Sequence, residues 1–133
     1  YTVTNTPQQN EMSERDGQAL AQITRCLMKD GNFPASLWGN LFFTATYLSN
    51  RSPHSTLGEA TPYSKMHKEK VDMTELRAIG ARAFVHHETY TRKLDDRAFK
   101  RKLYGCSQYS KTYMIYVSFE RTVVEIRNVT FLE

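Results

Sequence analysis

The hydrophobic period of this chain changes near residue 83, and the change limits which folds the chain can adopt. Before that point, apolar residues recur at spacings of three, four and seven, as they do on one face of a helix. After it, short runs of β-branched and aromatic residues lie between polar connectors, which is typical of strands. The order of the two patterns predicts an α+β fold in which helices come first and a compact β module follows.

The first predicted helix covers residues 11–29. Its apolar positions are Met12, Ala19, Leu20, Ile23 and Leu27. Asn10 or Ser13 is expected to cap its N-terminus, because either side chain can accept a hydrogen bond from a backbone N–H group there. Gly31 is expected in the left-handed position that follows many helices.

A second helix is predicted over residues 34–50, with Pro34 at its first helical position. Its broad apolar face contains Leu37, Trp38, Leu41, Phe42, Ala45 and Leu48. A segment rich in Ser, Thr, Pro and Gly follows, and Thr61 and Pro62 then begin a short helix that ends near His67.

Four short runs in the last fifty or so residues predict the strands of a small twisted barrel. They are Ala83–His87, Arg101–Cys106, Tyr113–Val117 and Thr122–Phe131, the last of which can hold two strands. The predicted division of the chain is therefore a helical part over residues 1–52, a linker with a short helix over 53–75, and a β-barrel over 76–133.

Composition restricts the class of protein. An apolar fraction of 40% and a charged fraction of 24% in 133 residues are typical of a folded, soluble protein. No apolar run approaches the roughly 20 residues of a membrane span, and the first residues lack a signal-peptide pattern. Because the chain does not begin with Met, we expect it to be part of a longer polypeptide. Cys26 and Cys106 are expected to be thiols in a reducing compartment, nuclear or cytoplasmic.

The positive charge of the chain is concentrated in one segment. Between Arg82 and Lys102 there are seven Lys or Arg residues against three acidic ones, which accounts for the whole net charge of +4. Such a segment suggests a polyanionic partner. The candidate phosphate contacts are Arg92, Lys93, Arg97, Lys100, Arg101 and Lys102. The alternative is an ordinary solvated loop, which Asp95 and Asp96 favour.

The stretch NTPQQNEMSER, residues 5–15, places the carboxylate of Glu14 near the start of the first apolar helix. By itself, a carboxylate there is expected to complement the partial positive charge of the helix N-terminus. The apolar face of the same helix suggests instead that Glu14 is buried, which would favour a functional role.

The surrounding motifs decide between these interpretations. The segments TPQQN followed by ER, FPASLWGNLFFTATYLSNRSP, ATPYSKMHKEKVDMTELRAIGARAFVH, KLDDRAFKRKLYGCSQYSKTYMIY and RNVTFLE occur in this order over nearly the whole chain. Together they resemble the end of the integrase core and the following Src-homology-3-like (SH3-like) domain in the Pol polyproteins of copia-type retrotransposons. The resemblance implies the last helices of a ribonuclease-H-like core followed by an SH3-like β-barrel.

The resemblance also implies a chemistry for Glu14. It matches the third member of the family's Asp-Asp-Glu set, which holds two Mg²⁺ or Mn²⁺ ions for phosphodiester transfer during DNA integration. The family's two aspartates precede its TPQQN segment, so they would lie before residue 1. We therefore expect no metal binding or strand transfer by this chain alone.

The chain departs from the family pattern in three places. Glu11 stands where the family has Gly, the segment DGQAL replaces a basic run after ER, and Cys106 replaces a Tyr. These differences keep two other interpretations open: a non-catalytic nucleic-acid-binding module, and a translated remnant with no present function. DNA is the expected partner, and self-association through exposed helix faces is expected because the family packs these helices on a sheet that precedes residue 1.

Overall fold

The computed structural model describes residues 7–74, 76–86, 98–107, 112–117 and 120–132. The helices are α1 (Pro7–Gly31), α2 (Trp38–Arg51) and α3 (Pro62–His67), and 3₁₀ turns cover Ala35–Leu37 and Ser55–Leu57. The strands are β1 (Arg82–His86), β2 (Ala98–Cys106), β3 (Tyr113–Val117), β4 (Thr122–Ile126) and β5 (Val129–Phe131). This order of elements confirms the predicted α+β architecture.

Helix α1 begins earlier than the sequence predicts. Because it already includes Pro7, neither Asn10 nor Ser13 is its N-cap, and that prediction is wrong. The prediction started from the first apolar repeat, whereas Pro7 suits the first turn because it has no N–H group of its own that would lack a partner there. Polar residues can therefore extend the helix beyond its apolar stripe.

The C-terminus of α1 also differs from the prediction. Asn32, with φ of 48°, takes the left-handed position expected for Gly31. The N–H group of Asn32 donates to Lys29 O at 3.2 Å, and that of Phe33 donates to Met28 O at 3.0 Å. These two bonds form a Schellman motif, which turns Phe33 back toward the helix.

The two later helices follow their predicted ranges closely. Pro34 lies in extended backbone, with ψ of 149°, one residue before the 3₁₀ turn Ala35–Leu37 that leads into α2, so its predicted place as the first helical residue is wrong. Thr61 caps α3 as predicted: its side chain accepts from the Ser64 N–H group at 3.1 Å, and the Ser64 hydroxyl accepts from Thr61.

The five strands form one antiparallel sheet with the order β4-β3-β2-β1-β5. Strands β4 and β5 occupy opposite edges, although only Arg127 and Asn128 separate them in the chain. Three Cα–Cα steps span at most roughly 11 Å, so the sheet must curl until its two edges approach each other. No pairing joins those edges within the part of the sheet that is described, so the predicted small barrel is a curled five-stranded sheet that is not closed there.

The helices cover one face of the sheet. Phe33, Leu37 and Leu41 pack there against Tyr104 and Tyr116. The ring of Phe33 meets the other two rings edge-on, with centroid distances of 5.5 Å to Tyr104 and 6.0 Å to Tyr116. Leu41 and Ala45 of α2 have no exposed surface. The expectation that the apolar helix faces lack a partner within this chain is therefore wrong for this side of α2.

The other face of the sheet holds a second, smaller core. Ala83, Leu103 and Ile115 are completely buried there. The rings of Tyr113 and Phe131, at a centroid distance of 4.9 Å, pack beside them. Within the described residues, no helix is both long enough and apolar enough to cross a bilayer.

Candidate nucleic-acid interface

Glu14 lies on the exposed surface of α1. It is about two turns from Pro7, whereas the effect of the helix dipole on a charge falls off within the first turn. Both the predicted burial of Glu14 and its predicted position at the helix N-terminus are therefore wrong. The helix begins before Met12, the first residue of its apolar repeat, and residues 10–16 are all exposed, so the repeat did not indicate burial here.

Glu11, the acidic residue about one turn before Glu14, has a basic partner. The guanidinium of Arg15 donates to the Glu11 carboxylate, four residues away on the same face of α1. Both side chains are exposed, so this pair adds little to stability. Among the residues that the structure describes, His, Cys, Asp and Glu form no group of three or more that could hold a metal ion.

The structure describes only part of the predicted basic segment. Arg92, Lys93 and Arg97 lie outside the described residues. Lys100 lies in β2 opposite Phe84, but its side chain is likewise not described, and Arg101 pairs with Ala83. Because side chains alternate along a strand, Arg101 points to the opposite face from Lys102. These two consecutive cations therefore do not form one patch.

Lys102 has a structural partner that the sequence did not indicate. Its Nζ atom donates to the Gly31 carbonyl oxygen at 2.9 Å, across 71 residues of sequence. Gly31 ends α1, so this ammonium group satisfies a terminal carbonyl and complements the negative end of the helix dipole. The signal available in the sequence was only a cation in a strand, and its partner is remote.

Two glycines bring the end of α1 against the sheet. A Cβ atom added to Gly80 would lie 2.7 Å from the Cα atom of Gly31, and Gly80 also has φ of 88°. The Gly80 N–H group donates to Leu103 O at 2.8 Å, which extends the pairing of β2. We call Gly31, Gly80 and Lys102 the α1–sheet junction.

Comparison with known proteins adds to this geometry. Residues 81–133 match the family model described as the retroviral polymerase SH3-like domain. This part of the chain is an SH3-like domain of that family. It contains all five strands, and the α1–sheet junction joins it to the helices through Lys102.

Curated relatives cover more of the chain. It is 32% identical over 133 residues to "Retrovirus-related Pol polyprotein from transposon TNT 1-94" of Nicotiana tabacum, covering 99% of this chain and 10% of that polyprotein. It is 26% identical to the corresponding polyprotein from transposon RE2 of Arabidopsis thaliana, over 83% of this chain and 8% of that polyprotein. The chain thus spans about a tenth of the length of these relatives. No solved structure matches it. The predicted resemblance to copia-type Pol polyproteins is confirmed.

Helix α2 contacts the SH3-like domain beside a bulge in β2. The pairing of β2 with β3 shifts between Leu103 and Gly105, and Tyr104, which packs on the side of the helices, lies at this shift. The hydroxyl of Tyr104 donates to Leu37 O at 3.1 Å. At Gly105 an added Cβ atom would lie 2.6 Å from Oγ1 of Thr44, so only glycine lets α2 approach this closely.

The packing of Tyr104 also shifts the pKa of its phenol. Burial raises the pKa of Tyr104 to about 12, and a hydrogen bond with the Asn40 side chain lowers it in part. The phenol is therefore neutral at ordinary pH, and it acts here as a hydrogen-bond donor to Leu37, the residue before α2.

A third group of side chains was not predicted. Tyr47 and Arg51 of α2 meet Tyr63 and His67 of α3 in a series of ring and cation contacts. The sequence signal was the four-residue spacing of each pair, which places its members on one helix face. The partnership between the two helices could not be predicted from that spacing.

Proposed function

We propose that this chain is a segment of a retrotransposon Pol polyprotein that takes part in DNA integration. In this proposal the intact parent joins DNA by metal-dependent phosphodiester transfer, and the present segment contributes DNA contacts and the carboxylate of Glu14. Its main support is the similarity to Pol polyproteins over 99% of the chain, together with the SH3-like domain. The net charge of +4 concentrated between Arg82 and Lys102 supports the contact with DNA.

The position of Glu14 relative to other carboxylates decides whether this chain can hold the catalytic metal ions. Two-metal phosphodiester chemistry needs several oxygen ligands held around both ions. Glu14 is exposed and belongs to no ligand cluster within the described residues, so these residues do not fit the Mg²⁺ or Mn²⁺ pair of the parent. We propose that the chain alone performs no strand transfer.

A joining assay tests this part of the proposal. The isolated chain is incubated with a labelled donor DNA end and either Mg²⁺ or Mn²⁺, beside a Glu14→Gln variant. We expect no joined product from either protein. Joining by the unaltered chain that disappears in the variant would contradict the proposal.

DNA binding by the SH3-like domain is tested through its salt dependence. Engagement of about three phosphates gives a slope near −3 for log affinity against log salt, at roughly −0.9 per phosphate. Lys102 already donates to Gly31, so the better candidates are the other five predicted contacts, Arg92, Lys93, Arg97, Lys100 and Arg101. Changing Arg92, Lys93 and Lys100 together to Glu should flatten the slope and weaken binding about equally for unrelated duplexes.

A matched control distinguishes the effect of the basic segment on DNA binding from the effect of net charge. Arg25, Arg121 and Arg127 are exposed and lie outside the basic segment. Changing these three to Glu alters the net charge equally, and it should leave most of the affinity and slope intact. Equal losses in both triple variants would mean that DNA is attracted by net charge alone.

The second candidate function is a non-catalytic nucleic-acid-binding module. It is favoured by the exposed position of Glu14 and by the acidic segment DGQAL in place of the family's basic run. The two candidate functions can be distinguished with a longer polypeptide that includes this chain and an upstream region with both aspartates. Its strand transfer is measured with and without Glu14→Gln. If Glu14→Gln leaves its strand transfer unchanged, the non-catalytic module is the correct function.

Self-association remains a proposal for one side of α2. Trp38 is 59% exposed and Phe43 is 66% exposed, although Leu41 on the opposite side is fully buried. Sedimentation over a range of protein concentrations should show a dimer that a Trp38→Ser, Phe43→Ser variant loses. Identical monomeric behaviour of both proteins would exclude it.

A further inference from the structure

The contacts between α2 and α3 form a continuous series. The Cζ atom of Arg51 lies 3.6 Å from the ring centroid of Tyr47 and 4.4 Å from that of Tyr63. The Tyr63 ring lies 4.4 Å from the imidazole ring of His67, with 34° between the two planes. We call these four side chains the α2–α3 stack. Tyr47, Arg51 and Tyr63 are half-buried, whereas His67 is exposed, so the stack ends in a ring that faces solvent.

Hydrogen bonds within the chain hold the elements of the stack in place. The Arg51 guanidinium donates to Tyr47 O at 3.5 Å, and the reciprocal bonds between Thr61 and Ser64 fix the first turn of α3. The loop before α3 is closed by the His54 N–H group, which donates to Ala60 O at 3.5 Å. A planar ligand placed on His67 would therefore meet a preformed surface and would lose little affinity to ordering the protein.

The chain around the exposed ring is basic. Lys65, Lys68 and Lys70 are exposed, against Glu69 as the single acidic residue between Thr61 and Lys70. Lys68 has φ of 57° and ends α3, so the chain turns away from the helix directly after His67. Lys65 and Lys68 precede and follow His67 in the chain. Proteins combine exposed aromatic rings with nearby cations to hold single-stranded nucleic acid.

We propose that His67 is a stacking platform for one base of a single-stranded nucleic acid, with Lys65, Lys68 and Lys70 contacting its phosphates. A base can stack there only when it is unpaired, because bases within a duplex already stack on their neighbours. This site lies on the helical part, so it goes beyond the duplex contact proposed for the SH3-like domain. Either proposal can fail without the other.

Fluorescence anisotropy with a short, labelled thymidine oligonucleotide tests the site. His67→Ala removes the platform and should weaken binding roughly 5- to 100-fold, the loss expected for one stacked base. His67→Trp keeps a stacking ring and should retain or increase the affinity. The matched control is His54→Ala, because His54 is also exposed but makes no contact with the α2–α3 stack among the contacts described. It should leave the affinity unchanged.

An abasic strand with the same number of phosphates separates stacking from charge. His67→Ala should not change binding to that strand, whereas changing Lys65, Lys68 and Lys70 to Gln should weaken binding to both strands. Equal far-ultraviolet circular dichroism of all variants shows that α3 is intact. The proposal is overturned if His67→Ala and His54→Ala have equal effects, or if His67→Ala weakens the abasic strand as much as the thymidine strand. Measuring the same variants on a duplex shows whether the SH3-like contact is intact.

Discussion

The two ends of α1 differ sharply in their surroundings, although one apolar repeat continues through both. Near its C-terminus, Thr24 is buried at 2% exposure, and Gly31 lies directly against Gly80. Near its N-terminus, every residue from 10 to 16 is exposed, and Met12 is 70% exposed. The difference follows from the neighbours of α1: α2 packs against it and the α1–sheet junction holds its C-terminal end, whereas neither covers residues 10–16.

Helix α2 shows the same contrast across its width. Leu41 is completely buried against the SH3-like domain, whereas Phe43, two residues later, is 66% exposed. An apolar repeat thus indicates which residues can be buried, but the position of the neighbouring element decides which of them are. Both helices combine a supported region with an unsupported one, and Glu14 lies in an unsupported region.

The largest expected effect comes from truncating the supported side of α2. Leu41→Ala removes a fully buried side chain and should lower the free energy of unfolding by about 4 kcal/mol. Phe43→Ala, on the unsupported side, should change it by less than about 0.5 kcal/mol. Urea unfolding followed by circular dichroism measures both. Similar losses in the two variants would mean that both sides of α2 are buried in solution.

A methyl group added to glycine should have opposite effects in the two regions. At the junction, Gly80→Ala places a Cβ atom 2.7 Å from Gly31 Cα at a positive φ, and it should cost about 3 kcal/mol. In the unsupported part of α1, Gly17→Ala meets nothing within 4 Å and should stabilise the protein by about 0.5–1 kcal/mol.

Thermal unfolding of the two glycine variants checks the signs. Gly39→Ala is a second control, because an added Cβ atom there also meets nothing within 4 Å in α2. If Gly80→Ala is as stable as the unaltered chain, the close approach of α1 to the sheet does not persist in solution.

Local features of the fold could be predicted from the sequence. The ranges of α2, α3 and β3 follow from spacing, proline position and β-branched residues, which act over a few neighbouring residues. The type of β module followed from motif resemblance, which the match over residues 81–133 confirms. The early start of α1 was missed because polar residues carried no periodic signal.

The contacts that place the elements could not be predicted. The bond from Lys102 to Gly31 spans 71 residues, and the bond from Tyr104 to Leu37 spans 67. No local pattern indicates which strand cation will meet which helix end. The same limit applies to the candidate site: the sequence marked Glu14 and the basic segment, but it did not indicate the exposure of Glu14 or the α2–α3 stack.

The pH dependence of stability tests the contact between Tyr104 and α2. Its pKa is raised to about 12 in the folded protein, above about 10 in the unfolded chain. The stabilisation is therefore complete below pH 10 and is lost as the pH rises toward 12. The loss should amount to about 2–3 kcal/mol.

A Tyr104→Phe variant isolates this group from other residues that titrate at high pH. It lacks the hydrogen bond to Leu37 O and should be about 1 kcal/mol less stable at neutral pH. Its unfolding free energy should then fall less steeply than that of the unaltered chain between pH 10 and 12. Parallel curves for the two proteins would show that Tyr104 does not titrate in this way.

The smallest expected effect on stability comes from a comparison of two cations of β2, Lys102 and Lys100. Lys102→Gln removes the ammonium group from Gly31 O and from the end of the α1 dipole, so it should cost about 1 kcal/mol of stability. Because that group is already bound within the protein, the change should leave the salt dependence of duplex binding nearly unaltered. Urea unfolding and a salt titration of DNA binding measure the two effects separately.

Lys100→Gln is the matched variant, two residues earlier on the same strand, and the opposite pattern is expected for it. Its stability should be unchanged, whereas the slope of log affinity against log salt should become less steep by roughly 0.9, the contribution of one phosphate. If Lys102→Gln reduces that slope and Lys100→Gln does not, Lys102 leaves Gly31 when DNA binds. The α1–sheet junction would then be part of the DNA interface, and the supported end of α1 would depend on whether DNA is present.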